Sequence, residues 1–198
     1  VVWIGIGGSG LGPKLIFDSL KEKGIGLSFY FIDNIDPEGI NRGLVEIQDR
    51  IATTLFVIVS KSGGTPEPRI AMELSHKYLQ NNAINWPRNS VAITMTDSKL
   101  DKIAKSEGWL RSFDMPDWVG GRTSITSAVG LLTASLIGVN SREFLDGAAQ
   151  MDQSTRAHDI RINPAALLAA SWYIAGEGIG KKDMVLLPYK DRLELFSR

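Results

Sequence analysis

Between Thr54 and Val59 the chain reads Thr-Leu-Phe-Val-Ile-Val, a strand-length run in which nearly every residue is apolar. A strand that is apolar on both faces needs cover on both faces, which places it inside a parallel sheet with helices packed above and below. The neighbouring segments alternate in the way such a sheet requires. Val1 to Ile6 is a β-rich run that stops at glycines, and Leu11 to Lys23 carries apolar residues at helical spacing. Leu27 to Ile32 reads as a second strand. Asp36-Pro37-Glu38 then supplies a cap, a first-turn proline and a first-turn acid for a helix toward Gln48. Thr65-Pro66-Glu67 opens a helix toward Gln80, Ser90 to Thr94 is a fourth strand, Ser98 caps a helix through Lys105, and Trp109 to Phe113 is a fifth strand. The expected fold is α/β, a doubly wound, mainly parallel five-stranded sheet flanked by helices, with ligands at the carboxyl ends of the strands.

After Thr123 the alternation gives way to helices, near Ile125 to Ile137, Ser141 to Ala157 and Pro164 to Glu177. Met184 to Leu187 reads as a new strand, and Leu193, Leu195 and Phe196 as part of a helix that the chain leaves unfinished. Three parts are therefore expected: residues 1–140 as a ligand-binding domain, 141–180 as a helical connection, and 181–198 as the start of a second domain. No basic leader precedes the first apolar run, so no secretory signal is expected and the start reads as cut.

Charge and composition narrow the function. The 22 Lys and Arg balance the 22 Asp and Glu, so no broad positive field is available for nucleic acid or an anionic membrane surface, and any anion site must be local. The longest apolar stretch, near Val129 to Val139, is shorter than the roughly 20 residues a membrane-spanning helix needs. With no cysteine and only His76 and His158 as imidazoles, thiolate chemistry is excluded and a side-chain zinc site is not expected. His76 and His158 read as solvated, and Trp172 and Tyr173 as packing residues of an Ala-rich helix.

Loops at three strand ends carry the chemistry. Gly5-Ile6-Gly7-Gly8-Ser9-Gly10 satisfies G-x-G-x-x-G between a strand and a helix, and Asp33 lies near where a dinucleotide fold keeps its ribose-binding acid. By itself this loop leaves open a dinucleotide site or a tight turn. Ser60-Lys61-Ser62-Gly63-Gly64-Thr65 brings hydroxyls, an ammonium and glycine-freed amides to a helix start, a cradle for one phosphate dianion. Its lysine precedes the glycines, unlike a Walker A loop, so a nucleoside triphosphate does not fit. The plainer alternative is a turn in which Thr65 serves as an N-cap. Asp117-Trp118-Val119-Gly120-Gly121-Arg122-Thr123-Ser124 places a guanidinium at the same sheet edge, suited to a developing oxyanion unless it pairs with Asp114 or Asp117. Glu67 is a helix-dipole complement close to the second loop and is not taken as a catalytic base.

Taken together, Ile4 to Pro13 (IGIGGSGLGP), Ser60 to Glu67 (SKSGGTPE) and Val119 to Ser124 (VGGRTS) resemble the glucose-6-phosphate isomerases of bacterial type. The resemblance extends over essentially the whole chain, and the VGGR-T-S motif followed by Ala128-Val129-Gly130 is its most specific part. It implies a Rossmann-like sugar isomerase (SIS) domain, the first of two in the family. It implies substrate binding by Gly8, Ser9, Ser60, Lys61, Ser62, Thr65 and Gly121, and a catalytic role for Arg122 in stabilising an enediolate. The implied reaction interconverts glucose 6-phosphate and fructose 6-phosphate in a cytoplasmic homodimer, with no metal or other cofactor. The family's glutamate base, its ring-opening histidine from the partner subunit and its late lysine lie in motifs C-terminal to Arg198. Ser62-Gly63-Gly64-Thr65-Pro66 replaces a bulkier sequence found in many members, and Thr123 replaces an aromatic, which leaves the choice between glucose and mannose phosphates open. A non-catalytic SIS domain that senses a sugar phosphate is the alternative, and Gly120-Gly121-Arg122 argues against it, because a sensor has no need of an arginine over reacting carbons.

Overall fold

The computed structural model of the chain describes residues 1–197. The chain divides into two compact units, Val1–Val139 and Asn140–Arg198. In the first, five strands form one sheet: β1 (Val2–Ile4), β2 (Tyr30–Ile32), β3 (Phe56–Val59), β4 (Ser90–Thr94) and β5 (Arg111–Asp114), in the order β2-β1-β3-β4-β5. Every pairing is parallel. Helices α1 (Gly8–Leu20), α2 (Pro37–Glu46), α3 (Pro66–Asn81) and α4 (Lys99–Glu107) connect the strands, and α5 (Ala128–Leu136) follows a 3-10 helix at Gly121–Thr126.

The alternation of side chains along the strands divides the core in two. Val2, Ile4, Phe56, Ile58 and Ala92 pack with Ile40 and Leu44 of α2, Met72 and Leu79 of α3, and Leu100 and Ala104 of α4. Trp3, Val57, Val59, Val91 and Ile93 face the other way and meet Met115, Val119 and Val129. All four β3 residues are at most 1% exposed, as an apolar run covered on both faces requires. The chain leaves β1 toward β2 and leaves β3 toward β4, so β1 and β3 lie side by side with their connections diverging. A crevice forms outside the carboxyl ends of strands at such a switch point.

Boundaries differ where tertiary contacts override the local pattern. Helix α1 starts at Gly8 rather than Leu11, and β2 starts at Tyr30 rather than Leu27, because the Leu27 N–H donates to Leu136 O instead of entering the ladder. The segment around Trp109 is not strand. Its indole packs edge-on to Trp86, and β5 begins at Arg111. His76 is half-buried and stacked on Trp86, so it is a packing residue and not a solvated one.

In the second unit, α6 (Ser141–Thr155) and α7 (Pro164–Ala175) are capped by Asn140 and Asn163. Residues 184–187 are not in a strand, since no strand among the described residues pairs with them, and residues 191–197 form a 3-10 helix. Trp172 and Tyr173 are exposed to 48% and 68%, so they do not pack as the Ala-rich spacing of α7 suggested. His158 is exposed, as expected. No helix among the described residues is long and apolar enough to cross a membrane.

Candidate functional site

The first loop turns from β1 into α1 through Gly7, whose φ of 58° lies in the region that favours glycine. It then runs against the third loop with almost no space between the backbones. A Cβ added at Gly8 would stand 2.0 Å from the Gly121 carbonyl oxygen and 2.7 Å from the Arg122 nitrogen. Gly8 is a glycine because only a bare Cα allows that contact. Ser9 sits in the first turn of α1, half-buried, with its carbonyl accepting from the Trp3 indole N–H at 2.8 Å.

The second loop follows β3 and ends at Thr65, the N-cap residue of α3, where Pro66 occupies N1 and Glu67 the first turn. The Thr65 hydroxyl makes no cap hydrogen bond, so capping does not account for it. Ser62 Oγ accepts from the Gly64 N–H at 3.2 Å and still has its own proton to donate. Ser60 is 7% exposed, and its Oγ is buried with no hydrogen-bond partner. It lines a small cavity together with Gly63, Thr65 and Leu100.

Lys61 reaches from this loop to the third. Its Nζ donates to the Asp117 carbonyl oxygen and lies 3.5 Å from Asp117 Oδ1. Asp114 accepts from the Thr96 N–H at 3.0 Å and the Thr96 hydroxyl at 2.8 Å. Both acids offered as partners for Arg122 are thus engaged elsewhere, and Arg122 is exposed with no ion pair or hydrogen bond among the described residues. Gly121 has open space around the position a Cβ would take. The contact of Gly8 with Gly121 and the reach of Lys61 to Asp117 bring all three loops together at one sheet edge. Asp33 lies just past the end of β2, 4.0 Å from Lys14, and its Cβ is 3.5 Å from where one added at Gly10 of the first loop would stand.

Two residues that the sequence reading did not assign complete the frame. Thr94, the last residue of β4, hydrogen-bonds the Ser60 carbonyl at 2.6 Å. The only signal for it in the sequence is a hydroxyl closing a strand whose interior, Val91 to Ile93, is apolar. Asp101, in the first turn of α4, accepts from Lys105 Nζ at 2.6 Å, the Ser112 hydroxyl at 2.7 Å and the Asp97 N–H at 2.9 Å. The Lys105 hydrogen bond first, then those from Ser112 and Asp97, hold its carboxyl below the usual range against the opposing effect of burial. No cluster of three or more His, Cys, Asp or Glu that could hold a metal occurs among the described residues.

An all-parallel α/β unit with glycine-rich and hydroxyl-rich loops gathered beyond its strand ends belongs to the class of open-sheet proteins that take ligands at a switch point. Comparison with known proteins makes this specific. The family model for phosphoglucose isomerase matches residues 1–198, and the chain belongs to that family. It is 61% identical over its whole length to a glucose-6-phosphate isomerase of Prochlorococcus marinus, of which it covers 37%, and 61% identical to one of Parasynechococcus marenigrum, of which it covers 36%. A crystal structure of a glucose-6-phosphate isomerase from Chlamydia trachomatis superposes with a TM-score of 0.83 at 33% identity, over 98% of this chain and 37% of that one. A hypothetical protein of Thermus thermophilus gives 0.84 at 31% identity, over 98% of this chain and 45% of that one. The chain spans a little over a third of the length of its curated relatives.

Proposed function

We propose that this chain is the phosphate-holding part of a glucose-6-phosphate isomerase, in which Ser9, Ser62 and Thr65 bind the sugar phosphate at the N-terminus of α3. Gly8 and Gly121 give the backbone access to the substrate, and Arg122 faces its reacting oxygens. Ser60 joins the phosphate through its unpartnered hydroxyl, and Lys61 holds the second loop against the third while adding positive charge. The observation that carries the reading is the convergence itself: an uncommitted Thr65 hydroxyl at a helix N-terminus and an unpaired Arg122, fixed at one edge by the Gly8 and Lys61 contacts.

In this reading the ring opens and a carboxylate base takes the proton from C2 of glucose 6-phosphate. The electron pair moves into a C1–C2 double bond, giving an enediolate whose oxygen charge Arg122 stabilises; the hydroxyl proton passes from O2 to O1, the C2 carbonyl forms, and the base returns its proton to C1 to give fructose 6-phosphate. The base and the ring-opening group come from the part of the protein beyond this chain. Arginine suits its role because its planar guanidinium stays charged through the cycle. A phosphate sensor would need the second loop alone and would leave Arg122 without a purpose.

The proposal extends to the organisation: residues 1–140 as the sugar-phosphate (SIS) domain, 141–180 as a helical connection, 181–198 as the start of a second such domain, and a cytoplasmic homodimer as the working assembly. A coupled assay on the full-length protein that contains this segment, with fructose 6-phosphate as substrate, tests the activity. Formation of glucose 6-phosphate by the full-length protein, and none by the 198-residue chain alone, is the expected result. Steady turnover by the isolated chain would overturn the assignment of the base to the remainder.

A further inference from the structure

Thr94 is 1% exposed and sits directly behind the second loop. Its Oγ1 lies 2.6 Å from Ser60 O, 3.2 Å from Lys61 O and 2.7 Å from Ser98 Oγ. The proton order follows from the neighbours. The Ser60 carbonyl can only accept, so the one Thr94 proton goes to it and Ser98 donates its own proton to Thr94 Oγ1, while Ser98 Oγ accepts from the Asp101 N–H at 3.1 Å. The Met95 N–H donates to the Lys61 carbonyl at 3.0 Å, so both carbonyls of the loop's first two residues point toward β4 and the start of α4. In a trans peptide the N–H points opposite to the C=O of the same unit. The amides of Lys61 and Ser62 are therefore turned away from β4, and neither has an acceptor among the described residues.

We propose that Thr94 is a positioning residue for the sugar-phosphate site: its hydroxyl, fed by Ser98, fixes together with the Gly63 N–H the Ser60–Lys61 peptide plane and so aims the Lys61 amide at the phosphate, beside the Ser62 amide whose plane the Met95 N–H holds. Successive N–H groups pointing into one concavity form an anion-binding nest, and its strength depends on both peptides holding their orientation. This inference rests on the phosphate assignment above and adds the residue that shapes it. A staple with only a structural role would lower thermal stability and leave anion affinity alone.

The test measures KM for fructose 6-phosphate, kcat, and the inhibition constant of inorganic phosphate in the full-length protein. Thr94→Val, which keeps the shape and removes the hydroxyl, is expected to raise KM and the phosphate inhibition constant about five- to tenfold while kcat falls no more than about twofold, and Thr94→Ser to restore both. The double variant Ser62→Ala with Thr65→Ala separates the two ideas. If it weakens phosphate inhibition while Thr94→Val leaves inhibition unchanged, Thr94 does not position the site. If the double variant itself leaves phosphate inhibition unchanged, the phosphate assignment fails and the positioning role falls with it. Should Thr94→Val not fold, Thr94→Ala removes the same hydroxyl and its bond to the Ser60 carbonyl, and a phosphate inhibition constant equal to wild type in that variant overturns the proposal.

Discussion

Replacing Gly8 by alanine tests the contact that joins the first and third loops. The new Cβ would meet the Gly121 oxygen at 2.0 Å, the Gly121 carbon at 2.4 Å and the Arg122 nitrogen at 2.7 Å, all backbone atoms that have no side-chain torsion with which to retreat. Ordinary contact begins at 3.4 Å, so the two loops must separate by about 1.4 Å at this point. A displacement of about 1 Å in a catalytic group costs on the order of a hundredfold in rate, and overpacking of this kind costs about 1–3 kcal/mol in stability. In the full-length protein, the coupled isomerase assay is therefore expected to show kcat lowered about a hundredfold for Gly8→Ala. Inhibition by inorganic phosphate should change less, because of the proposed phosphate ligands only Ser9 adjoins Gly8, while Ser60, Ser62 and Thr65 lie on the second loop. Gly121→Ala is the internal comparison: its Cβ meets no protein atom within 4 Å, so thermal stability should stay at the wild-type value, and any loss of activity reports the closeness of the substrate. A Gly8→Ala protein that folds and turns over within about twofold of wild type would refute the claim that this backbone contact places Arg122.

Other expectations follow from the same contacts. Arg122→Ala should lower kcat by about a hundredfold or more with KM little changed, read in the coupled assay, since an interaction made with the developing oxyanion is absent from the ground state. Asp117→Ala should leave KM nearly unaltered, because the carbonyl acceptor of Lys61 remains and an ion pair to a carboxylate 91% exposed contributes little. Asp101 has a folded pKa below its unfolded value, so its contribution to stability is present above about pH 4 and is lost as pH falls through the folded pKa. Asp101→Asn should therefore melt below wild type at pH 7, with the gap in Tm closing as the pH is lowered past 4.

The sheet was readable because β1, β3 and β4 are short, mostly apolar runs that meet glycine or hydroxyl residues at their carboxyl ends, and β4 falls at Ser90–Thr94 just as its pattern says. The start of α1 was not. Gly8-Ser9-Gly10 looks like loop by propensity, yet it forms the first turn, with the bare Cα atoms of Gly8 and Gly10 packed against Gly121 and Gly5. Nor could spacing distinguish α7, apolar around its whole circumference, from a core helix. Similarly, residues 184–187 have strand composition but pair with no strand among the described residues, so composition alone misreads them. Among the site residues, the hydroxyls and glycines were legible as types at a helix start. The partner of Lys61 was not, because Asp117 lies 56 residues away and meets it only when β3 and the segment after β5 reach the same edge. Thr94 was hidden for the same reason, its acceptor lying 34 residues upstream in the loop that follows the adjacent strand.

The most direct test of the account is a crystal structure of the full-length protein with fructose 6-phosphate bound. The phosphate is expected at the N-terminus of α3, within hydrogen-bond distance of the Thr65 hydroxyl and the Ser62 amide, with Arg122 facing the C1 and C2 oxygens. A phosphate seated instead on Arg122, with the second loop empty, would contradict it.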